Sequence, residues 1–222
     1  TGMWGREIAA MAGTRIPACA VEHQYFVTEK TDRIPAELPT LRDPDGNFYV
    51  KPEPGALAVG GWETNTPPWG ADGIRRDFGP ELLQPDFERF APLAEAAGAR
   101  IPVLNEVGIR QMINGPIPIT ADGEPIIGLS PELDNFYLCC GFTSGIAASG
   151  GAGWVMANWI VDGDPGMDLW PFDVRRFGVR TRSGSSCTRA PSRATAATIT
   201  SRGPRTRPMP AATRGGAPCT RC

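Results

Sequence analysis

Apolar and polar positions alternate along the first third of the chain in a way that predicts β-strands. The segment ACAVEHQYFVTE, which begins at residue 18, alternates loosely and places Val21, His23, Tyr25 and Val27 on one side of a strand. Two turn signals follow, DPDGN and PG, and the second lies between NFYVKPE and ALAVGGWE. We therefore predict three or four antiparallel strands between residues 18 and 59.

Helical spacing of apolar residues marks three other segments. The first, TGMWGREIAAMAG, is expected to turn from the end of a strand into a short helix that Gly13 closes. The second, PELLQPDFERFAPLAEAAGARIP, is predicted to be a helix that Pro85 and Pro92 start or kink. The third, SGIAASGGAGWVMANWIVDG, follows the apolar strand FYLCCGF and is rich in small residues.

Strands and loops fill the rest of this region. The stretch from Thr64 to Gly79 is rich in Pro, Gly and Trp and is expected to be a loop. VLNEVGIRQMINGPIPIT is predicted to be a strand that ends at NGP, and DGEPIIG to be a turn followed by a strand. The mixture of strands and helices indicates an α+β fold with a mixed or antiparallel sheet.

Charge divides the chain into an acidic body and a basic tail. The 222 residues carry 22 Lys or Arg and 24 Asp or Glu, so the formal net charge is only -2. Residues 181–222 hold eight Arg and no acidic residue, which leaves 14 basic and 24 acidic residues in the first 180. Such a tail is typical of disordered or nucleic-acid-binding segments. No apolar run approaches the ~20 residues of a membrane-spanning helix, so we expect no membrane partner.

The six cysteines favour a reducing compartment over a disulfide framework. Cys19, Cys139 and Cys140 lie in apolar contexts that are typical of buried thiols. Cys219 and Cys222 have the C-x-x-C spacing but no second pair, so zinc is only weakly indicated and no metal is predicted. Because no secretory signal is visible, a cytoplasmic location is expected.

A glycine-rich turn joins the strand FYLCCGF to the helix after it. Small residues at Gly145, Ala148, Gly150 and Gly153 would let another group approach the helix closely. The N–H groups at the start of such a helix suit an electron-rich ligand, such as a phosphate or the edge of a flavin. Close packing of the helix on a sheet is the alternative. The turn alone favours packing slightly, because it is not a G-x-G-x-x-G motif.

His23 is the one histidine of the chain, and its side chain is the one best suited to exchange a proton near neutral pH. In a pocket it would act as acid or base, or bind a carboxylate. An ordinary core or surface imidazole is the alternative, which a lone histidine favours. Phe48 and Tyr49 lie on a neighbouring predicted strand, where an aromatic pair packs a sheet or walls a pocket for an amine cation.

Five motifs, taken in order, resemble one enzyme family. They are GMWGRE, PACAVEHQYFVTE, LPTLRDPDGNFYVKPEPGALAVGGWE, INGPIPITADGEPIIG and NFYLCCGFTSGIAASGGAG. Together they resemble the dimethylglycine and sarcosine dehydrogenase group of the D-amino-acid-oxidase-like, FAD-dependent oxidoreductases. The resemblance covers residues 1–178, and DLWPFDVRRFG resembles the point where the family's catalytic domain leads into its central domain.

The resemblance implies FAD as the cofactor and assigns residues to the site. His23 and Tyr49 are implied in catalysis, and His23, Phe48 and Tyr49 are implied beside the substrate. The bacterial oxidase members have Tyr where this chain has Phe48, with Tyr49 next to it. Cofactor contacts are implied at Trp4 and along the glycine-rich turn, at Gly141, Phe142, Thr143, Ser144, Gly145 and Ile146.

The implied reaction is the oxidation of a secondary or tertiary N-methyl amine of the dimethylglycine or sarcosine type. A hydride would pass from the N-methyl carbon to the flavin, leaving an iminium that loses formaldehyde or passes it to tetrahydrofolate, if a folate domain is present. A protein or oxygen would then accept the electrons. Two alternatives stay open: a related oxidoreductase for another amine, or a non-enzymatic α+β module whose basic tail recruits a partner. No specific nucleic acid is predicted.

The resemblance also predicts how the chain is divided. Residues 1–178 are expected to be part of such an oxidoreductase domain, namely its substrate sheet and its last FAD-contacting strand and helix. The family's strand, G-x-G-x-x-G and helix unit is expected to lie outside this sequence. Residues 179–222 are expected to be a disordered, basic, low-complexity tail. From about Ser186, synonymous codons read with a one-base offset can spell the family's continuation, so we interpret the tail as the product of a shifted reading frame.

Overall fold

One 11-residue strand, β1 (Ala18–Thr28), organises the larger sheet. In the computed structural model, which describes residues 1–35 and 37–178, β1 pairs along its whole length with β6 (Ile109–Thr120). Its other edge pairs with β4 (Ala56–Gly61) and with the two-residue β5 (Pro68–Trp69). All three pairings are antiparallel, so the strand predicted around His23 lies at the centre of the sheet.

Two shorter strands, β2 (Leu41–Asp43) and β3 (Phe48–Glu53), extend the sheet beyond β4. The turns lie where the sequence predicted them. Asn47, in the DPDGN turn, has a φ of 57°, and Gly55, in the PG turn, has a φ of 72°, conformations that Asn and Gly tolerate. The prediction of several antiparallel strands in this region is confirmed.

The helix α2 (Phe87–Arg100) packs across one face of this sheet. It begins later than the PELLQ segment predicted, because Pro85 disfavours a helical residue before it and Asp86 caps the helix. The Asp86 Oδ1 accepts a hydrogen bond from the Arg89 N–H at 2.9 Å. The core between helix and sheet consists of Phe26, Ile34, Phe48, Val50, Leu57, Val59, Phe90, Leu93 and Ala97.

β6 continues through the NGP motif, where the sequence analysis predicted its end. Gly115 and Pro116 pair with His23 and Glu22. In the described part of the chain β6 pairs with β1 alone, and a strand at the edge of a sheet tolerates the missing N–H of proline. The strand therefore reaches Thr120 without interruption.

A second unit is built on the hairpin of β7 (Ile126–Leu129) and β8 (Tyr137–Cys140). The helix α1 (Gly5–Met11) and the segment around Val174 share a core with this hairpin, and α3 (Gly145–Asp162) shares another. The strand, turn and helix predicted around Gly141 are thus present. Together with the antiparallel sheet they confirm the predicted α+β fold.

Two smaller expectations are wrong. Gly2–Trp4 is a 3-10 turn and not the end of a strand. Cys139 is exposed and Cys140 is buried, because adjacent residues of a strand face opposite sides.

Within the described residues, no helix has both the length and the apolar character needed to cross a membrane. The tail predicted at residues 179–222 lies outside the described residues.

Candidate active site

Aromatic side chains gather on the sheet face opposite α2. Tyr49 on β3 pairs with Gly60 on β4, and Gly60 pairs with Tyr25 on β1, so the three residues form one row across the sheet. The Tyr49 side chain covers Gly60, where any added Cβ would overlap the phenol ring. His23 faces the same side two residues before Tyr25, and its ring packs against Trp62 with a centroid separation of 5.0 Å.

An open space lies beside His23. Its cross-strand neighbour on β6 is Gly115, and no atom lies within 4 Å of the position that a Gly115 Cβ would occupy. The His23 side chain itself is 17% exposed. We call this open space beside the imidazole the Gly115 hollow.

Two titratable groups of this face, His23 and Tyr49, have pKa shifts that favour their uncharged forms. Burial, and to a smaller extent the positive charge of Arg89, lowers the pKa of His23 below its ordinary value of 6.5, although Glu63 acts in the opposite direction. Burial raises the pKa of the Tyr49 phenol above its ordinary value of 10.0, with a smaller contribution from Tyr25. The face therefore offers a neutral imidazole as proton acceptor and a phenol as hydrogen-bond donor.

Behind His23 lies a buried ionic network that the sequence analysis did not identify. Glu63 is 2% exposed, and its carboxylate accepts hydrogen bonds from the Gln24 side chain at 2.6 Å and from Arg89 Nε at 2.8 Å. Arg89 also donates to Glu22 at 3.0 Å. One feature of the sequence could have indicated this network, namely the acid that ends ALAVGGWE. A carboxylate that closely follows an apolar strand needs a partner.

Phe48 is separated from this group. It is 2% exposed and packs in the core beneath α2. Because successive strand residues alternate between the two faces, Phe48 and Tyr49 cannot lie on the same side. The structure brings His23 and Tyr49 onto one face, whereas the substrate contact predicted for Phe48 stays a prediction that its buried position does not favour.

A crevice lies at the start of β1, and of the residues predicted to contact the cofactor Gly141 lines it. Its walls come from the chain around Trp4, from the start of β1, from β6 and from the end of β8, through Gly2, Met3, Gly5, Arg6, Ile16, Ala18, Cys19, Pro118, Cys140 and Gly141. Cys19 lines the crevice. His23 lies four residues further along β1, on the same face as Cys19. At about 3.3 Å per residue, the two are roughly 13 Å apart. The crevice is lined by residues from both faces of β1, Ala18 and Cys19, and therefore lies at the end of the sheet.

The turn after β8 fits an electron-rich group. Gly141 has a φ of 74°, and a Cβ there would collide with the Thr120 side chain, so the turn needs glycine. The 18-residue helix α3 starts without a side-chain cap and without an acidic residue in its first turn, so its N-terminal dipole is not neutralised locally.

The predicted cofactor residues differ in how accessible they are. Gly141 is buried and Phe142 packs against the core between α3 and the hairpin. Ser144 and Ile146 are exposed, Ile146 almost completely at 98%, and Thr143 and Gly145 are half-buried. Trp4 is 38% exposed. In the described ranges no group of three His, Cys, Asp or Glu is arranged to hold a metal ion.

The sheet, the glycine turn and the crevice correspond to part of a flavin enzyme. The family described as FAD dependent oxidoreductase matches residues 1–159, and the chain belongs to this family. Its recognition as a member of the FAD-dependent, D-amino-acid-oxidase-like oxidoreductases is therefore confirmed.

Three curated proteins of known activity are similar to this chain. The chain is 39% identical to sarcosine dehydrogenase, mitochondrial, of Mus musculus over 177 residues, which are 79% of this chain and 19% of that protein. It is 36% identical to dimethylglycine dehydrogenase, mitochondrial, of Rattus norvegicus over 185 residues, 80% of this chain and 22% of that protein. It is 35% identical to 4-methylaminobutanoate oxidase (formaldehyde-forming) of Paenarthrobacter nicotinovorans over 181 residues, 79% and 21% of the two chains. The chain thus spans about a fifth of the length of these relatives.

Solved structures share the fold. L-proline dehydrogenase from P. horikoshii is 25% identical, with a TM-score of 0.63 over 80% of this chain and 45% of that chain. Glycine oxidase from Geobacillus kaustophilus is 21% identical, with a TM-score of 0.61 over 80% and 44%.

Proposed function

We propose that this chain supplies the substrate-facing sheet and part of the FAD site of an enzyme that oxidises a secondary or tertiary N-methyl amine. The substrate would be of the sarcosine or dimethylglycine type. The observation that carries the proposal is the pair of His23 and Tyr49, which lie on one face of the sheet and whose pKa shifts favour their uncharged forms. The similarity to sarcosine and dimethylglycine dehydrogenases supports the class of substrate.

In this proposal His23 prepares the amine. An alkylamine is protonated in water near neutral pH, and the protonated nitrogen has no lone pair to assist loss of hydride from its methyl group. A neutral imidazole beside the Gly115 hollow accepts that proton. The Tyr49 hydroxyl donates a hydrogen bond, which suits the carboxylate of an N-methyl amino acid. The aromatic rings of Tyr25 and Trp62 would give the amine an apolar wall.

The crevice is where the chain would hold the flavin. Trp4 and the residues from Gly141 to Ile146 would contact it, with the N–H groups at the start of α3 directed at its electron-rich edge. When bound, FAD supplies the two-electron oxidant for the amine. An acceptor protein or oxygen to reoxidise it, tetrahydrofolate as one-carbon acceptor and a cytoplasmic location remain parts of the proposal.

A longer N-methyl amino acid is the second candidate substrate. The 4-methylaminobutanoate oxidase of Paenarthrobacter nicotinovorans is as similar to this chain as the dimethylglycine dehydrogenase is, at 35% against 36% identity. Identity alone therefore does not separate the two substrate sizes. The non-enzymatic binding module considered from the sequence is disfavoured, because the chain belongs to a family of oxidoreductases.

A chimeric enzyme tests the proposal. In mouse sarcosine dehydrogenase, the segment that aligns with this chain would be replaced by the matching residues of the chain. The purified, FAD-loaded chimera would then be mixed anaerobically with sarcosine, dimethylglycine or 4-methylaminobutanoate. We expect one of the first two to bleach the visible band of the flavin fastest. A chimera with full flavin content that none of the three amines reduces would contradict the proposal.

A further inference from the structure

Glu63 is a carboxylate enclosed in the core directly behind His23. Its side chain has no exposed surface, and such a group is tolerated only where partners replace its water shell. Oε1 accepts hydrogen bonds from Gln24 Nε2 at 2.6 Å and from Arg89 Nε at 2.8 Å. Oε2 accepts one from the Gln24 backbone N–H at 2.9 Å. These three bonds hold the carboxylate in one place.

The second oxygen of this fixed carboxylate also faces the imidazole. Oε2 is 3.7 Å from His23 Nδ1, slightly longer than a hydrogen bond but close enough for strong charge attraction in a buried site. The Trp62 ring, inclined at 34° to the imidazole, packs against it. One ring nitrogen of His23 is therefore beside a negative charge, and the other nitrogen, Nε2, is turned away from it.

Arg89 limits the effect of Glu63 on the charge of the imidazole. Its guanidinium binds Glu63 and also lies 3.0 Å from Glu22 and 3.4 Å from Asp86. Burial and Arg89 together outweigh the attraction of Glu63, so the pKa of His23 is lowered and not raised. Glu63 can thus select the position of a proton on a ring that carries only one.

We propose that Glu63 is a positioning residue that holds neutral His23 in the tautomer with its proton on Nδ1, which leaves Nε2 as the atom that accepts a proton from the amine. This inference rests on the proposed function of His23 and adds the group that selects the accepting atom. A purely structural Glu63, which only joins β1, β4 and α2, is the alternative. That role is already met by the bonds to Gln24 and Arg89, and it requires no particular tautomer.

The tautomer can be read directly because His23 is the only histidine of the 222 residues. The full chain, labelled with 15N and free of any histidine tag, gives one imidazole spin system in a long-range 1H–15N correlation spectrum. Above the pKa of His23 we expect the shifts of a protonated Nδ1 and an unprotonated Nε2. A dominant Nε2–H form, which an unconstrained neutral imidazole favours in water, would overturn the proposal.

Two variants distinguish a Glu63 that positions the imidazole from a Glu63 that only joins parts of the fold. Glu63→Gln keeps the shape of the side chain but loses its charge, and its amide can donate to an unprotonated Nδ1, so the preference for Nδ1–H should be lost. Glu22→Gln removes another carboxylate from Arg89 without touching the imidazole, and it should keep the wild-type tautomer. An unchanged tautomer in a folded Glu63→Gln variant would contradict the proposal. If circular dichroism shows that this variant is unfolded, the wild-type spectrum alone decides.

The result is independent of the proposed function. The spectrum requires neither FAD nor an amine, so a chimera that fails to oxidise amines would leave the tautomer assignment intact. Conversely, an Nε2–H tautomer in an active chimera would remove Glu63 from its role and leave amine oxidation standing.

Discussion

The protonation state of His23 determines what this face of the sheet can bind, and folding changes the pKa of the imidazole. The pKa of His23 is lowered from 6.5 chiefly by burial, so below pH 6.5 the unfolded chain binds more protons at this residue than the folded chain does. The contribution of His23 to stability is therefore complete above pH 6.5 and is lost as the pH falls below it.

This linkage predicts a measurable slope. Urea unfolding between about pH 5 and pH 7 should show a free energy of unfolding that falls with acidification more steeply in the wild type than in His23→Gln, which does not titrate. Lys30→Gln, at an exposed position just after β1, should keep the wild-type slope. Parallel curves for the wild type and His23→Gln would show that folding does not perturb the imidazole.

Removal of the imidazole should also slow the chemistry. In the FAD-loaded chimera, His23→Ala should reduce flavin roughly 10²-fold more slowly, because the amine loses its positioned proton acceptor. The visible spectrum of the bound flavin should not change, because His23 is proposed to contact the amine and not the flavin. Lys30→Ala, at an exposed position just after β1, serves as the control in the same single-turnover assay. Equal rates of reduction for His23→Ala and the control would exclude the role.

At the scale of elements, the glycines of the strands determine where a ligand fits. Gly115→Leu should fill the Gly115 hollow and raise the amine concentration needed for half-maximal flavin reduction at least about tenfold. Folding should be retained, because the space around the missing Cβ is open. Gln111→Leu places the same side chain on the same face of β6, four residues away, and should bind the amine normally. A similar affinity in both variants would place the substrate elsewhere.

The turn into α3 should affect the cofactor and not the amine. A Cβ at Gly145 would meet only Phe142 Cβ at 3.6 Å, an ordinary contact, so the described residues leave room for Gly145→Val. In the chimera, that β-branched side chain should obstruct the flavin and lower the flavin content per chain. Gly151→Val places the same side chain in open space within α3, where its helix cost is at least as large, and should bind flavin fully. If the two variants carry equal flavin, the turn serves packing alone.

Most elements follow from patterns that are local in the sequence. Alternation and turn residues define β1 to β4, and the run FYLCCGF with the small residues after it defines β8 and α3. The error at β6 came from treating proline as a strand breaker without knowing that the strand lies at an edge. Alternation also separates Phe48 from Tyr49, although the sequence analysis paired them. The contact of Glu63 with Arg89 joins residues 26 positions apart and has no local signature.

At the scale of the whole molecule, the composition of the basic tail predicts that the tail does not stabilise the sheet. Residues 181–222 contain eight Arg, no acidic partner and few large apolar residues, so they have little to bury. A chain that ends at Gly178 should therefore have the same thermal midpoint as the full chain in a matched calorimetric scan. A clearly lower midpoint would show that the tail contributes to the fold. Sequencing of the source DNA would show whether a one-base shift restores the family's continuation.

The central claim is that an N-methyl amine is oxidised on the face of the sheet that carries His23, and breaking of the methyl C–H bond tests it most directly. The FAD-loaded chimera is mixed anaerobically with sarcosine whose N-methyl group carries either hydrogen or deuterium, and the loss of the oxidised flavin band is followed in time. We expect both forms to reduce the flavin, the deuterated one more slowly. Full flavin content without reduction, or reduction at a rate that depends on neither the isotope nor His23, would contradict it.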